Sequence, residues 1–285
     1  MVYQSQEELI KLGAKVVSVD PAFFYWYEQG ELSGILSSHV DDFLHSGNED
    51  FSRVMEKLKI LFEISSECEE DVFAYLGIKL SSVGEASTMD QIEYTRKLEP
   101  IQLSEIRKFS KDDDVTEAER KVLRSKVGKL NWLSTQTRPD VAFDVSKAAS
   151  RMNHAKVCDL IEVNKLIKKA KSEDVYIKFP KLKDLRRCKL VVHSDASFGN
   201  LDKGASQIAY VIFIADEENN SALISWNSIK AKRIARSTLA AETLALSEAV
   251  DKATVINNKK LFSVCCEAQI LQSFYLGGFC QSEEI

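Results

Sequence analysis

Apolar positions along this chain follow two periods, and the places where the period changes mark out its parts. Residues 22–27, AFFYWY, are an aromatic run that predicts a strand. EQGE at 28–31 supplies a turn, and LSGILSSHV at 32–40 predicts the next strand. After Asp41-Asp42, FLHSG at 43–47 predicts a third. Alternation carried through this stretch puts Ile35, His39, Asp41 and Phe43 on one face, and Leu36, Val40, Asp42 and Leu44 on the other. Phe51, Val54, Leu58, Leu61 and Phe62 then recur at helical spacing, predicting a helix over 49–62. VFAYLGIKLSS at 72–82 predicts one more strand. The first 85 residues therefore read as hairpin, helix and strand in an α+β layer.

The middle of the chain is predicted helical. Thr116 followed by Glu119 is a capping box that opens a helix running to about Leu133, with Val122, Leu123, Val127 and Leu130 inward. In TRPDVAFDVSKAASRM, Pro139 stands at a first helical position. Another helix covers roughly 157–171. The period then returns to strands: CKLVVHSDAS ending in Asp195, QIAYVIFIAD at 207–216, and ALISWNSIK at 222–230. A helix begins near Ser237 or Thr238. Leu239, Leu246 and Val250 define its apolar stripe, with Glu242 on the border, about 60° off centre at ~100° per residue. Residues 261–285 show no clean period. The whole reads as α+β without repeats, divided as 1–85, 86–187, 188–260 and a tail of 261–285.

Composition narrows the classes. At 285 residues, 45% hydrophobic and 28% charged, the chain has material for a sizeable core and about two domains. The net charge of -5 argues against a polyanion partner, but its distribution does not. Residues 1–110 carry 10 Lys/Arg and 20 Asp/Glu, while residues 111–285 carry 28 and 23. Residues 165–189 hold ten basic residues and three acids, and IKAKRIAR at 229–236 adds Lys230, Lys232, Arg233 and Arg236 with no acid. Phosphate contacts require such charge, and solvated helix faces also carry it. The six cysteines form no C-x-x-C pair and histidines number four, so zinc spacing is absent and the thiols read as reduced. The first residues lack the regions of a signal peptide, and no run of 18 apolar residues exists. These features predict no membrane span and a cytoplasmic or nuclear protein.

Two pairs of acids are candidates for chemistry. Asp41-Asp42 lies between two predicted strands, where Asp is common as a turn residue and where adjacent carboxylates also suit hard divalent cations. Asp195 ends a strand and Glu242 lies on the following helix, at the edge of a stripe where a carboxylate needs a partner, a cation or access to solvent. Asp251, nine residues past Glu242, falls about 180° around the same helix, and with Glu248 reads as a solvated face.

The order of motifs sharpens both readings. DP at 20–21, HVDDFLHSG, YLGIKL at 75–80, DQIEYTRKL at 90–98 and GKLNWLSTQTRPDVAFDVS at 128–146 together resemble the reverse transcriptase of copia-type LTR retrotransposons, over roughly residues 10–155. HSDASFGN and SWNSIKAKRIARSTLAAETLALSEA resemble the ribonuclease H of the same polyprotein, over roughly 188–257. The resemblance implies a reverse-transcriptase palm remnant, connecting helices and an incomplete ribonuclease-H-like domain. It implies Asp41 and Asp42 as catalytic metal ligands of the polymerase, and Asp195 and Glu242 as those of the nuclease. It implies Mg2+ or Mn2+ as cofactor, and RNA/DNA hybrid or duplex nucleic acid and the rest of the Pol polyprotein as partners. Lys230, Lys232, Arg233 and Arg236 are the expected phosphate contacts.

The match has gaps. His39 stands where the family has tyrosine. The family's upstream palm aspartate and its fourth-strand nuclease aspartate have no counterpart in this sequence. Two readings follow: a reverse transcriptase/ribonuclease H fragment inactive as an isolated chain, or a non-catalytic nucleic-acid-binding or interaction protein derived from a retroelement. A chain whose open sheet edges prevent stable folding is a third.

Overall fold

The computed structural model describes residues 2–17, 20–40, 42–64, 71–184, 187–258 and 279–281. Its architecture is α+β with three antiparallel sheets. After helix α1 (Val2–Lys11), strands β1 (Lys15–Val17), β2 (Asp20–Glu28), β3 (Glu31–His39) and β4 (Asp42–Gly47) pair in sequence order. Helix α2 (Glu49–Leu61) lies across one face. Asn48 caps it, its side chain accepting from the Phe51 amide at 3.1 Å, and Glu49 and Asp50 favour its positive end. Phe51, Met55 and Leu58 from α2 pack on Phe24, Trp26, Leu36 and Phe43, with Leu9 of α1. The Phe51 ring rests on two glycines that face each other across β3 and β4, Gly34 and Gly47. A Cβ at Gly34 would stand 2.1 Å from that ring, so only glycine admits it.

The face assignment expected from the sequence is corrected here. Leu36 and Phe43 share the α2 face, whereas Ile35 packs with Phe23, Tyr25 and Tyr27 on the other. His39 pairs with Asp42, leaving two residues in the turn. Cross-strand partners point to the same side, so a two-residue turn inverts the odd–even parity that alternation alone would carry through.

The segment predicted as one strand over 72–82 is a hairpin, β5 (Val72–Tyr75) and β6 (Ile78–Val83). Leu76 and Gly77 sit between them at φ +52° and +73°, as a type I′ turn requires. Strand β7 (Ala86–Asp90) extends this sheet, so the expected division at 85/86 falls inside a second hairpin. Short helices α3 (Ile92–Arg96) and α4 (Glu105–Phe109) lead to α5 (Glu117–Gln136), α6 (Ala142–Arg151) and α7 (Val157–Ser172). Strand β8 (Tyr176–Phe179) then returns to pair with β7, so the middle is not purely helical.

The capping box forms as expected: Thr116 Oγ1 accepts from the Glu119 amide and the Glu119 carboxylate accepts from the Thr116 amide. Leu123, Val127, Leu130 and Leu133 of α5 pack with Val145 of α6 and Leu160 and Val163 of α7. Val122, expected inward, is 41% exposed, because the buried stripe runs through the positions three and four residues apart that start at Leu123. Pro139 opens a single 3-10 turn, Pro139–Val141, that leads into α6.

Strands β9 (Lys189–Ser197), β10 (Gln207–Ala215) and β11 (Ser221–Lys230) form the third sheet, with β10 central. Strand β9 runs two residues beyond Asp195. Helix α8 (Thr238–Asn258) packs on this sheet through Ala241, Ala245 and Ala249, not through the expected Leu239, Leu246 and Val250, which point outward. Alanines let the helix approach the sheet closely, against Ile208, Tyr210 and Ile212. The opposite face meets the helical layer. Trp226 Nε1 donates to the Ser134 carbonyl on α5 at 2.7 Å, and Gln207 Nε2 donates to Ser146 Oγ on α6 at 3.1 Å. Finally β12 (Phe279–Gln281) pairs with the free edge of β4.

Candidate nucleic-acid interface

The hairpin with the paired aspartates closes on His39 and Asp42. Val40 in its turn has φ +52°. A β-branched residue in the left-handed region costs on the order of 1–3 kcal/mol. Two other two-residue turns, Gln29-Gly30 and Leu76-Gly77, hold positive φ with glycine in the second slot. Position 41 is that slot here, and Asp41 lies outside the described residues.

Asp42 shares with His39, Ser37 and Leu44 the sheet face turned away from α2. Ser37 Oγ and Tyr75 Oη share a hydrogen bond of 3.3 Å on that face. Burial pushes the Tyr75 phenol above its ordinary value, and the carboxylates of Asp42 and Asp20 push it the same way. Asp20 therefore acts on the same neighbourhood as Asp42. In the sequence Asp20 stands out only as part of the DP motif, 21 residues before Asp41. The EQGE turn by itself would lay Phe23 opposite Leu36, and a bulge between Trp26 and Tyr27 shifts the register by one to lay Phe23 opposite Ser37, which the turn residues do not announce. Carboxylates here suit a hard divalent cation in donor type.

The second pair of acids is not brought together. On β9, Val192 and Ala196 face α8. Asp195 is one residue out of phase, exposed on the opposite face with His193, whose ring lies 6.2 Å from that of Phe213. Glu242, half-buried beside Ala241, is on the α8 side. The thickness of the sheet separates the two carboxylates, and as placed they do not fit one shared metal ion.

The two basic stretches also diverge. In the loop after β11, Ala231 and Ala235 are buried, and the Ala231 amide donates to the Ser206 carbonyl at 2.8 Å. Between and beside these anchors Lys230, Lys232, Arg233 and Arg236 are exposed, and none forms an ion pair among the described residues. Residues 165–189 are different. Lys165 pairs with Glu162, Lys169 with Asp144, Lys181 with Glu85, Lys183 with Glu218 and Arg187 with Glu217.

The motifs DQIEYTRKL and TRPD, both part of the family resemblance, meet in one buried joint. Arg138 forms two 2.8 Å bonds to Asp140 and donates to the Ala170 carbonyl near the end of α7 at 2.7 Å. Thr137 Oγ1 donates to Gln91 Oε1 at 3.0 Å.

No protein-family model and no curated protein matches this chain. No helix among the described residues is long and apolar enough to cross a membrane.

Proposed function

We propose that this chain is a piece of a copia-type retrotransposon polyprotein: palm remnant, connecting helices and ribonuclease-H-like sheet. In this reading it binds RNA/DNA hybrid or duplex nucleic acid and catalyses neither DNA synthesis nor RNA cleavage by itself. The observation that carries the reading is the Asp41-Asp42 hairpin, closed by His39 and Asp42 on a helix-backed antiparallel sheet. It supports descent from a polymerase palm. The separation of Asp195 from Glu242 supports the non-catalytic form.

A divalent ion, when bound, stabilises charge on the attacking and leaving oxygens of phosphoryl transfer. Asp42, with Asp41 beside it in sequence, would hold such an ion at the hairpin. Lys230, Lys232, Arg233 and Arg236 supply phosphate contacts, since their charge is not spent on carboxylates of the described fold.

The test is a labelled RNA/DNA hybrid with a recessed primer, nucleotides, and Mg2+ or Mn2+. The expected result is salt-sensitive binding with no extension and no cleavage. Extension lost in Asp41→Asn or Asp42→Asn, or cleavage lost in Asp195→Asn, overturns the non-catalytic reading. Absence of binding overturns the nucleic-acid reading.

A further inference from the structure

A cavity of about 240 Å³ lies between α5, α6 and β11. Its walls include Trp226, Ser228, Ser146, Asn131, Ser134 and Thr135, and no charged residue lines it. That volume is below the ~300–1,000 Å³ of pockets for drug-sized ligands, so it suits a single ring system with some water. The indole is oriented by its 2.7 Å bond to the Ser134 carbonyl. Thr135 Oγ1 spends its proton on the Asn131 carbonyl at 2.9 Å, which leaves its oxygen as an acceptor. Ser146 Oγ and Ser228 Oγ accept from Gln207 Nε2 at 3.1 and 2.9 Å, which leaves their own protons to donate. Gln207, which holds these two hydroxyls from outside the lining, is 3% exposed, and its Oε1 has no hydrogen-bond partner among the described residues.

We infer that this cavity is a binding site for one nucleobase, stacked against Trp226 and hydrogen-bonded by the hydroxyls around it. The neutral lining excludes a phosphate from the interior. Strand alternation puts Lys230 on the same face as Trp226 and Ser228, two residues further along β11, where the attached backbone phosphate would lie. An unstacked base of a single strand and a free nucleoside offer the same chemistry to the cavity. The inference rests on the nucleic-acid reading above, and its test separates the two.

The test uses the full chain, with intrinsic fluorescence and anisotropy as readouts. The probes are adenosine and uridine, a short single-stranded oligonucleotide, and an abasic strand of equal length. The expected result is that the normal strand binds about tenfold or more tighter than the abasic one, in the range of base–aromatic stacking. Trp226→Leu and, separately, Ser228→Val should erase that difference while leaving abasic binding unchanged. The second variant fills the cavity with a residue suited to a strand, so it guards against misfolding of the first. Saturable binding of a free nucleoside, lost in Ser228→Val, identifies the free molecule as a ligand. Equal affinity for both strands, or a difference that survives Ser228→Val, overturns the base site and leaves the nucleic-acid reading standing. Failure of every probe to bind overturns the base site, while the nucleic-acid reading stands or falls on the hybrid.

Discussion

The basic stretches at 165–189 and 229–236 look alike in the sequence and have opposite fates in the fold. The first is richer in charge, yet much of it is consumed. Lys169 reaches Asp144 on α6, and Lys181 reaches Glu85 in the β6–β7 turn. Lys171 caps the Leu98 carbonyl at 3.0 Å. The second stretch has four cations, two buried alanine anchors and no carboxylate partner among the described residues. A count of basic residues does not measure charge available to a polyanion. What counts is the charge left after the protein's own acids have taken theirs.

The largest expected effect follows from that difference. Replacing Lys230, Lys232, Arg233 and Arg236 together by alanine should weaken hybrid binding at low salt by about a hundredfold. It should also make the slope of log affinity against log salt shallower by about three to four, near 0.9 per lost phosphate contact. The matching set, Lys165, Lys169, Lys181 and Lys183 to alanine, should weaken binding less than about tenfold. Fluorescence anisotropy across a salt series measures both. Equal losses in the two sets would mean that ion pairing within the fold does not decide which cations meet nucleic acid.

Arg138 is the extreme case of a spent cation. Its side chain is 4% exposed, held by Asp140 and by the end of α7. Arg138→Ala should destabilise the chain by about 2–4 kcal/mol in urea unfolding, since it strips a buried joint of charge-assisted bonds. Hybrid binding at temperatures where the variant is folded should be unchanged. A loss of binding without a loss of stability would place Arg138 among the free cations and break the contrast.

Arg138 also shows where sequence reading ends. TRPD could be seen as a motif, but its partners, Gln91 and the end of α7, lie more than 30 residues away in the chain. The strands and helices were legible because aromatic runs, turn residues and the Thr116–Glu119 box are local signals. Three things were not. The face of Asp42 depended on the length of its turn. The packing side of α8 depended on close approach by alanines, which carry a weaker hydrophobic signal than the leucines that point outward. The break at Leu76-Gly77 needed a leucine at positive φ, which propensity argues against. The candidate acids were legible as residues. Their juxtaposition was not, because a one-residue phase on β9 decides whether Asp195 meets α8.

A smaller effect tests an acid that is spent in the same way. Two 2.9 Å bonds from Arg107 hold the Glu119 carboxyl down at about 2, helped by the Thr116 amide. Its ordinary value is 4.5. A lowered folded-state value stabilises the fold above pH 4.5, and that stabilisation is lost as pH falls from 4.5 towards 2. Glu119→Gln keeps the capping acceptor and removes the charge. It should cost about 1–2 kcal/mol at pH 7 and flatten the stability profile between pH 4.5 and 2. Urea midpoints across that range measure it. An unchanged profile would mean that Arg107 gains nothing from the charge.

The smallest effect concerns the exposed pairs of the first stretch, and it decides whether "spent" means stabilising. Lys181 is nearly half exposed and Lys183 mostly exposed, and their partners Glu85 and Glu218 are more than half exposed. Water screens such pairs, and holding two long side chains costs entropy, so each contributes about 0–1 kcal/mol. Lys181→Ala and Lys183→Ala should each shift stability by less than about 0.5 kcal/mol, with the difference shrinking in high salt. Charge-reversed partners give the sharper reading. In Glu85→Lys, Lys181 loses its carboxylate and gains a like-charged neighbour. Stability should fall only slightly, while hybrid binding should rise, because two cations become available where none was before. A rise in binding with little change in stability would show that these lysines are withheld from nucleic acid by their partners, although the same pairs barely hold the fold together. No rise would mean that their position on the molecule, and not their pairing, keeps them out of contact.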